Sequence, residues 1–177
     1  GFDLAFERAS GNAFLIWGDP AKQIQYRRFT TSWQAGVVAY AGLTNNVYWL
    51  KAAYDPVATS SNIAIAFLRD DAYLGFGAWN GATWQARPAA ILAANRDNRS
   101  IDVAFEEGTG EAVYAFSQST SATQLSYYRW TSAGGFVGPT LTAGATGTIK
   151  FVQLKPIPGS DDLMDVYADN NADLWYR

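Results

Sequence analysis

The stretch ATQLSYYRW (Ala122–Trp130) recurs along the chain as QIQYRRF (Gln23–Phe29), AYLGFGAW (Ala72–Trp79) and ADLWYR (Ala172–Arg177). Ile24, Leu74, Leu125 and Leu174 fall in register, at steps of 74−24=50, 125−74=51 and 174−125=49. Tyr26, Phe76, Tyr127 and Tyr176 keep those steps, and Phe29, Trp79 and Trp130 follow them. A second row, AFLIWG, IAIAFL, AVYAFS and LMDVYA, sets Trp17, Phe67, Phe116 and Tyr167 in register at steps of 50, 49 and 51. Two rows that keep one period independently mark a repeat architecture built from units of about 50 residues.

Each unit opens with a further alternating run: Phe2–Glu7, Tyr48–Asp55, Ile101–Glu107 and Lys150–Ile157. Clusters of Gly, Ser, Pro and Asp separate the runs, as strand-breaking turns do. A weaker fourth run closes three of the units: Ala35–Tyr40, Pro88–Ala94 and Thr140–Gly144. Helical spacing is nowhere sustained. Four short strands per unit joined by hairpins is the pattern of a β-propeller blade. In the second strand Phe14 and Ile16 lie on one face, Leu15 and Trp17 on the other. Apolar residues on both faces suit a sheet packed between neighbours rather than one with a wet side. The expected fold is therefore all-β, a single domain over residues 1–177. It is read as a closed four-bladed propeller with blades at about 1–46, 47–98, 99–148 and 149–177, the last lacking its outer strand.

Composition removes several functions. The net charge of −3 argues against nucleic acid, which selects basic surfaces. With no Cys and no His there can be no disulfide, thiol nucleophile or Ser-His-Asp triad, and zinc chemistry is disfavoured. No apolar run approaches the ~20 residues of a membrane-spanning helix. No metal site or cofactor is expected, because the paired acids Asp70-Asp71 and Asp161-Asp162 read as turn residues and Asp169-Asn170-Asn171 lacks calcium-loop spacing. Glu7, Asp55 and Glu106 nearly repeat at the ends of the first strands. They read as turn caps, with a ring of carboxylates as the functional alternative; Pro158 stands in that neighbourhood in the fourth unit.

The runs Leu163–Arg177 and Tyr73–Trp84 resemble bacterial β-propeller repeats with a strand, turn, strand, W-N-G-x-x-W cadence. More loosely the chain is similar to fucose-binding propeller lectins. That resemblance implies an Arg, a Glu and a Trp around each sugar. Arg27, Arg129 and Arg177 occupy comparable strands, but Gly77 and Tyr128 interrupt the series and no Glu recurs on the third strand. Of the seven Trp residues, Trp17, Trp49 and Trp175 are expected in the core. Trp33, Trp79, Trp84 and Trp130 sit at hairpin ends and are candidates for exposure. Trp79 and Trp84 flank the Asn80-Gly81 turn, a strong hairpin signal, and could clamp a flat ligand between them.

The sequence thus points to a non-catalytic propeller, secreted or at the cell surface, serving as an interaction or self-assembly module. Carbohydrate binding, with glycans as partners, is the alternative, and a carboxylate-based glycoside hydrolase the third reading. The last strand, Asp173, Leu174, Trp175, Tyr176 and Arg177, offers an aromatic edge protected only by its two terminal charges. Such an edge is a template for strand addition, which would give a homo-oligomer or filament.

Overall fold

The computed structural model describes residues 1–93 and 96–177. The strands are β1 (Phe2–Phe6), β2 (Ala13–Asp19), β3 (Gln23–Phe29) and β4 (Val37–Tyr40), then β5 (Val47–Tyr54), β6 (Asn62–Arg69), β7 (Tyr73–Asn80) and β8 (Trp84–Leu92). They continue as β9 (Ile101–Phe105), β10 (Ala112–Ser117), β11 (Gln124–Thr131), β12 (Gly135–Gly144), β13 (Ile149–Pro156), β14 (Leu163–Asp169) and β15 (Leu174–Tyr176). Among the described residues a single 3-10 turn, Ser119–Ser121, interrupts them. The fourth strands start earlier or later than their sequence patterns suggest. β8 takes in Trp84 to Arg87, and Ala94, the expected end of that strand, lies outside the described residues.

Consecutive strands pair antiparallel into four sheets, β1–β4, β5–β8, β9–β12 and the three-stranded β13–β15. The hairpins between second and third strands turn on Lys22, Ala72 and Ala172, all at positive φ and all in the same place in their units. Repetition of that backbone shape in three units is the local counterpart of the sequence period.

The register gives each sheet two faces, one toward the following sheet and one toward the preceding sheet. Forward residues of sheet 1 (Ala5, Phe14, Ile16, Ile24) meet rearward residues of sheet 2 (Leu50, Ala52, Ile63, Ile65, Phe67) in one core cluster. A second cluster joins Ala64, Ala66, Leu74 and Phe76 to Ile101, Val103, Tyr114 and Phe116. A third joins Val113, Ala115 and Leu125 to Val152, Leu154 and Tyr167. β6 and β10 are consequently buried along both faces, as their sequences require, whereas β2 is fully buried only on its forward face. Acids in the innermost strands staple two of the junctions: Asp3 accepts a hydrogen bond from the Ala52 amide at 2.8 Å, and Asp102 one from the Leu154 amide at 2.8 Å.

The expected four sheets and the short last one are present; closure into a ring of four is not. The described residues form three core clusters, one per sequential junction, and none joins sheet 4 to sheet 1. The faces that would have to meet, with Phe2, Leu4 and Phe6 on one and Met164, Leu174 and Tyr176 on the other, stand exposed.

Candidate functional site

The residues ending the first strands set the chemistry of each junction. In sheet 1, Glu7 follows β1, while Tyr26 and Arg28 alternate onto the forward face of β3 opposite Ile16 and Phe14. Three donors converge on Glu7 Oε2: the Ser10 hydroxyl, Asn12 Nδ2 at 3.0 Å and Arg28 Nη2 at 2.6 Å. Trp79 Nε1 donates to Oε1 at 2.9 Å. Burial alone would raise the Glu7 pKa, but the hydrogen bonds from Ser10, Asn12, Trp79 and Arg28 outweigh it and hold the carboxyl below its ordinary value. An Arg, a Glu and a Trp are thus brought together, yet they are bound to one another. Glu7 is 1% exposed and Trp79 6%, so this junction is closed to a ligand.

That placement corrects the reading of the Trp residues. Trp79 is wedged between sheets 1 and 2, against Phe14 and Tyr26, and cannot form one jaw of an open clamp. Trp84 packs on Tyr26 and Trp79 at its edge. Trp130 is fully buried and donates through Nε1 to Gln85 Oε1 at 2.8 Å. Asn80 accepts from the Ala82 and Thr83 amides, so it shapes its turn. Trp33 alone of the four is exposed, at 48%. Trp49, expected in the core, is exposed with Tyr48: a register shift between Val47 and Trp49 hands the core positions to Val47 and Leu50. Asp55 and Glu106 behave as turn caps, accepting from the Val57 amide and Asn62 side chain and from the Thr109 hydroxyl respectively.

The third junction differs. Glu106, Tyr127 and Arg129 take the places in sheet 3 that Glu7, Tyr26 and Arg28 take in sheet 1. Across from them, Asp165 and Arg177 of sheet 4 border a groove of about 330 Å³. Val113, Leu154 and Leu163 give it an apolar floor, and Thr140 and Thr142 of β12 border it. The Tyr127 hydroxyl donates to Asp165 Oδ2. Burial, reinforced by that carboxylate, pushes the Tyr127 pKa far up. Burial also raises Asp165, against the opposing effects of the Tyr127 hydrogen bond and the Arg177 charge. Asp165 is itself buried, and its Oδ1 has no hydrogen-bond partner. Arg129 reaches Glu111 at 3.4 Å and is otherwise extended into water. A pocket of this size, with a few convergent polar groups over an apolar base, is the ordinary form of a small-molecule site.

No protein-family model matches the chain, and no curated protein resembles it in sequence. Solved structures do. AofleA from Arthrobotrys oligospora superposes with a TM-score of 0.58 at 11% identity, over 99% of this chain and 52% of that one. A variant of Aleuria aurantia lectin in complex with Fucα1-6GlcNAc gives 0.58 at 13%, over 99% of this chain and 59% of the lectin. A further structure of that lectin, described as six-bladed and recognising fucose, gives 0.55 at 10% over the same shares.

The fold is that of a β-propeller.

The chain spans somewhat more than half the length of those structures. The β-propeller brings together Glu106, Arg129 and Arg177, all weighed for a site in the sequence, with Tyr127, read there only as a repeat position, and Asp165, which was not singled out. The signal that could have found them is the Glu–Tyr–Arg set shared by blades 1 and 3 and missing from blade 2, where Asp55, Phe76 and Ala78 stand. The acids do not form a ring: Glu7 and Asp55 are each buried in their own turn, and no group of three or more potential metal ligands occurs among the described residues. The edge residues divide by face. Trp175 turns inward, stacked on Tyr167 at 6.4 Å, while Leu174 and Tyr176 point away from blade 3.

Proposed function

We propose that this propeller is a non-catalytic carbohydrate-binding module, secreted or at the cell surface, that holds a sugar in the groove between blades 3 and 4. The observation that carries this reading is the buried Asp165 carboxylate, whose Oδ1 is unpaired in a groove bordered by Arg129, Arg177 and two threonines. A sugar hydroxyl both donates and accepts, so it can satisfy a carboxylate and a guanidinium together, and the C–H face of the ring suits the floor of Val113, Leu154 and Leu163. An unmade bond to a buried carboxylate costs more than an ordinary one is worth, which makes the site demand a donor. The likeness to a lectin solved with Fucα1-6GlcNAc supports a sugar as the ligand class. The groove supports binding rather than hydrolysis because each of its two carboxylates is engaged by a neighbouring hydroxyl, Asp165 by Tyr127 and Glu106 by Thr109, instead of standing as a free acid–base pair.

The test is a glycan array followed by calorimetry on the hits. Asp165→Asn and Arg129→Ala are each expected to weaken binding about tenfold or more, the size of one charge-assisted bond. Trp33→Ala, remote from the groove, should leave it unchanged. Absence of any glycan ligand, or binding indifferent to both groove substitutions, would overturn the reading.

A further inference from the structure

Six of the nine asparagines in this chain use their side chains to tie turns together. Asn12 donates to Glu7, Asn45 to Asp71, Asn62 to Asp55 and Asn171 to Thr146. Asn80 and Asn170 accept from backbone amides. Asn98, in the connection between β8 and β9, is put to no such use. Its backbone carbonyl accepts from the Ser100 amide at 2.9 Å, and among the described residues its side chain has no hydrogen-bond partner.

The residue two positions on completes the observation. Asn98-Arg99-Ser100 is an Asn, a residue other than Pro, then a Ser, which is the acceptor pattern for an N-linked glycan. None of the other eight asparagines has a Ser or Thr at that distance. We propose that Asn98 is the attachment site of an N-linked glycan. The proposal rests on the reading that the chain is exported, and not on sugar binding in the groove.

The fold leaves room for the modification. Asn98 is half-buried beside exposed Arg96 and Asp97, in a connection that is neither strand nor helix. Arg99 turns away from it, with its guanidinium over Phe151 and toward Asp102. Ser100 is buried, with its amide bonded to Asn98 and its carbonyl to Ser117. The hydroxyl half of the pattern is thus out of reach once the chain has folded, so transfer precedes folding. From Asn98 the five residues of β9 run toward Glu106 at the groove, a span of about 17 Å. The glycan therefore sits at the opposite end of the blade and leaves the groove open.

The chemistry needs a lipid-linked oligosaccharide as donor, met in the membrane through which the chain is exported. Asn98 Nδ2 attacks the anomeric carbon and the N–C bond forms. The bond from that carbon to the diphosphate oxygen breaks, the lipid diphosphate leaves with the electron pair, and Nδ2 gives up one proton.

The test is expression of the 177-residue chain behind a cleavable leader in a eukaryotic secretory host, read in cells and medium alike. Because the leader supplies export, the outcome bears on Asn98 and not on how the natural chain travels. The expected product exceeds the 19.3 kDa of the polypeptide by one glycan. Peptide-N-glycosidase should remove the excess and leave a carboxylate at position 98 in the peptide map. Asn98→Gln breaks no side-chain bond, so it should abolish the heavier species while circular dichroism stays unchanged. Ser100→Ala should abolish it too, and Ser100→Thr should retain it. Counting the intracellular chains keeps these two variants informative even where the buried site folds poorly. An unmodified Asn98 in the wild type, or a glycan that persists in Asn98→Gln, would overturn the proposal.

Discussion

Glu7→Gln should be among the most damaging single-atom changes available in this protein. The two carboxylate oxygens face different company: Ser10, Asn12 and Arg28 meet Oε2, while the Trp79 indole meets Oε1. A glutamine must therefore choose. With its oxygen at the three-donor corner, its NH2 confronts the Trp79 N–H and leaves a buried donor unpaired. Turned the other way, it confronts three donors at once. The first arrangement costs about 1–3 kcal/mol for the orphaned indole, plus part of the charge-assisted bonding to Arg28. Breaking a fully buried ion pair costs ~3–5 kcal/mol, but the Arg28 side chain is 32% exposed and water relieves some of that loss. The sum is a destabilisation of about 2–4 kcal/mol, or a fall in Tm of about 5–15 °C for a chain of this size.

The assay is thermal unfolding followed by circular dichroism, run on Glu7→Gln, Trp79→Phe and the double variant. Removing the indole N–H first removes the clash, so the glutamine penalty should shrink by about 1 kcal/mol or more in the Trp79→Phe background. A Tm drop below about 2 °C, or strictly additive variants, would refute the account of Glu7 as the acceptor that locks blade 1 to blade 2.

Gly75→Ala tests the first junction: an added Cβ would lie 2.0 Å from Cζ of Phe67, with ordinary backbone angles, so the cost is steric and expected at about 1–3 kcal/mol or above; an unchanged Tm would show that Phe67 can retreat. Burial raises the pKa of Asp102 despite the Leu154 amide and Arg99, so folding favours its protonated form. That contribution is complete below the unfolded pKa near ~3.9 and is lost as pH rises through the higher folded value. Asp102→Asn keeps an acceptor for Leu154 and cannot ionise, so it should gain on the wild type as pH rises from about 3 to about 7; a constant Tm difference over that range would contradict the sign.

Most of the architecture was legible because period-two strands, hairpin breakers and the repeat agree, and the residues that break the pattern do so for nameable reasons. Trp49 leaves the core through a register shift that no composition signals. The groove of blade 3 is written in Glu106, Tyr127 and Arg129, yet the same three residue types in blade 1 make a closed core. In blade 1 Trp79 of the facing blade bonds to the Glu; in blade 3 Asp165 bonds to the Tyr. A repeat sequence records, at each position, the neighbour that position is built to meet; it does not record whether the neighbour is there. Leu125 and Leu174 are the same residue at the same place in two units, one buried and one in water. Leu174 and Tyr176 keep the apolar character that Leu125 and Tyr127 have one unit earlier, although they stand exposed. In a stack where each blade touches only the next, such residues carry a cost for as long as they stay uncovered.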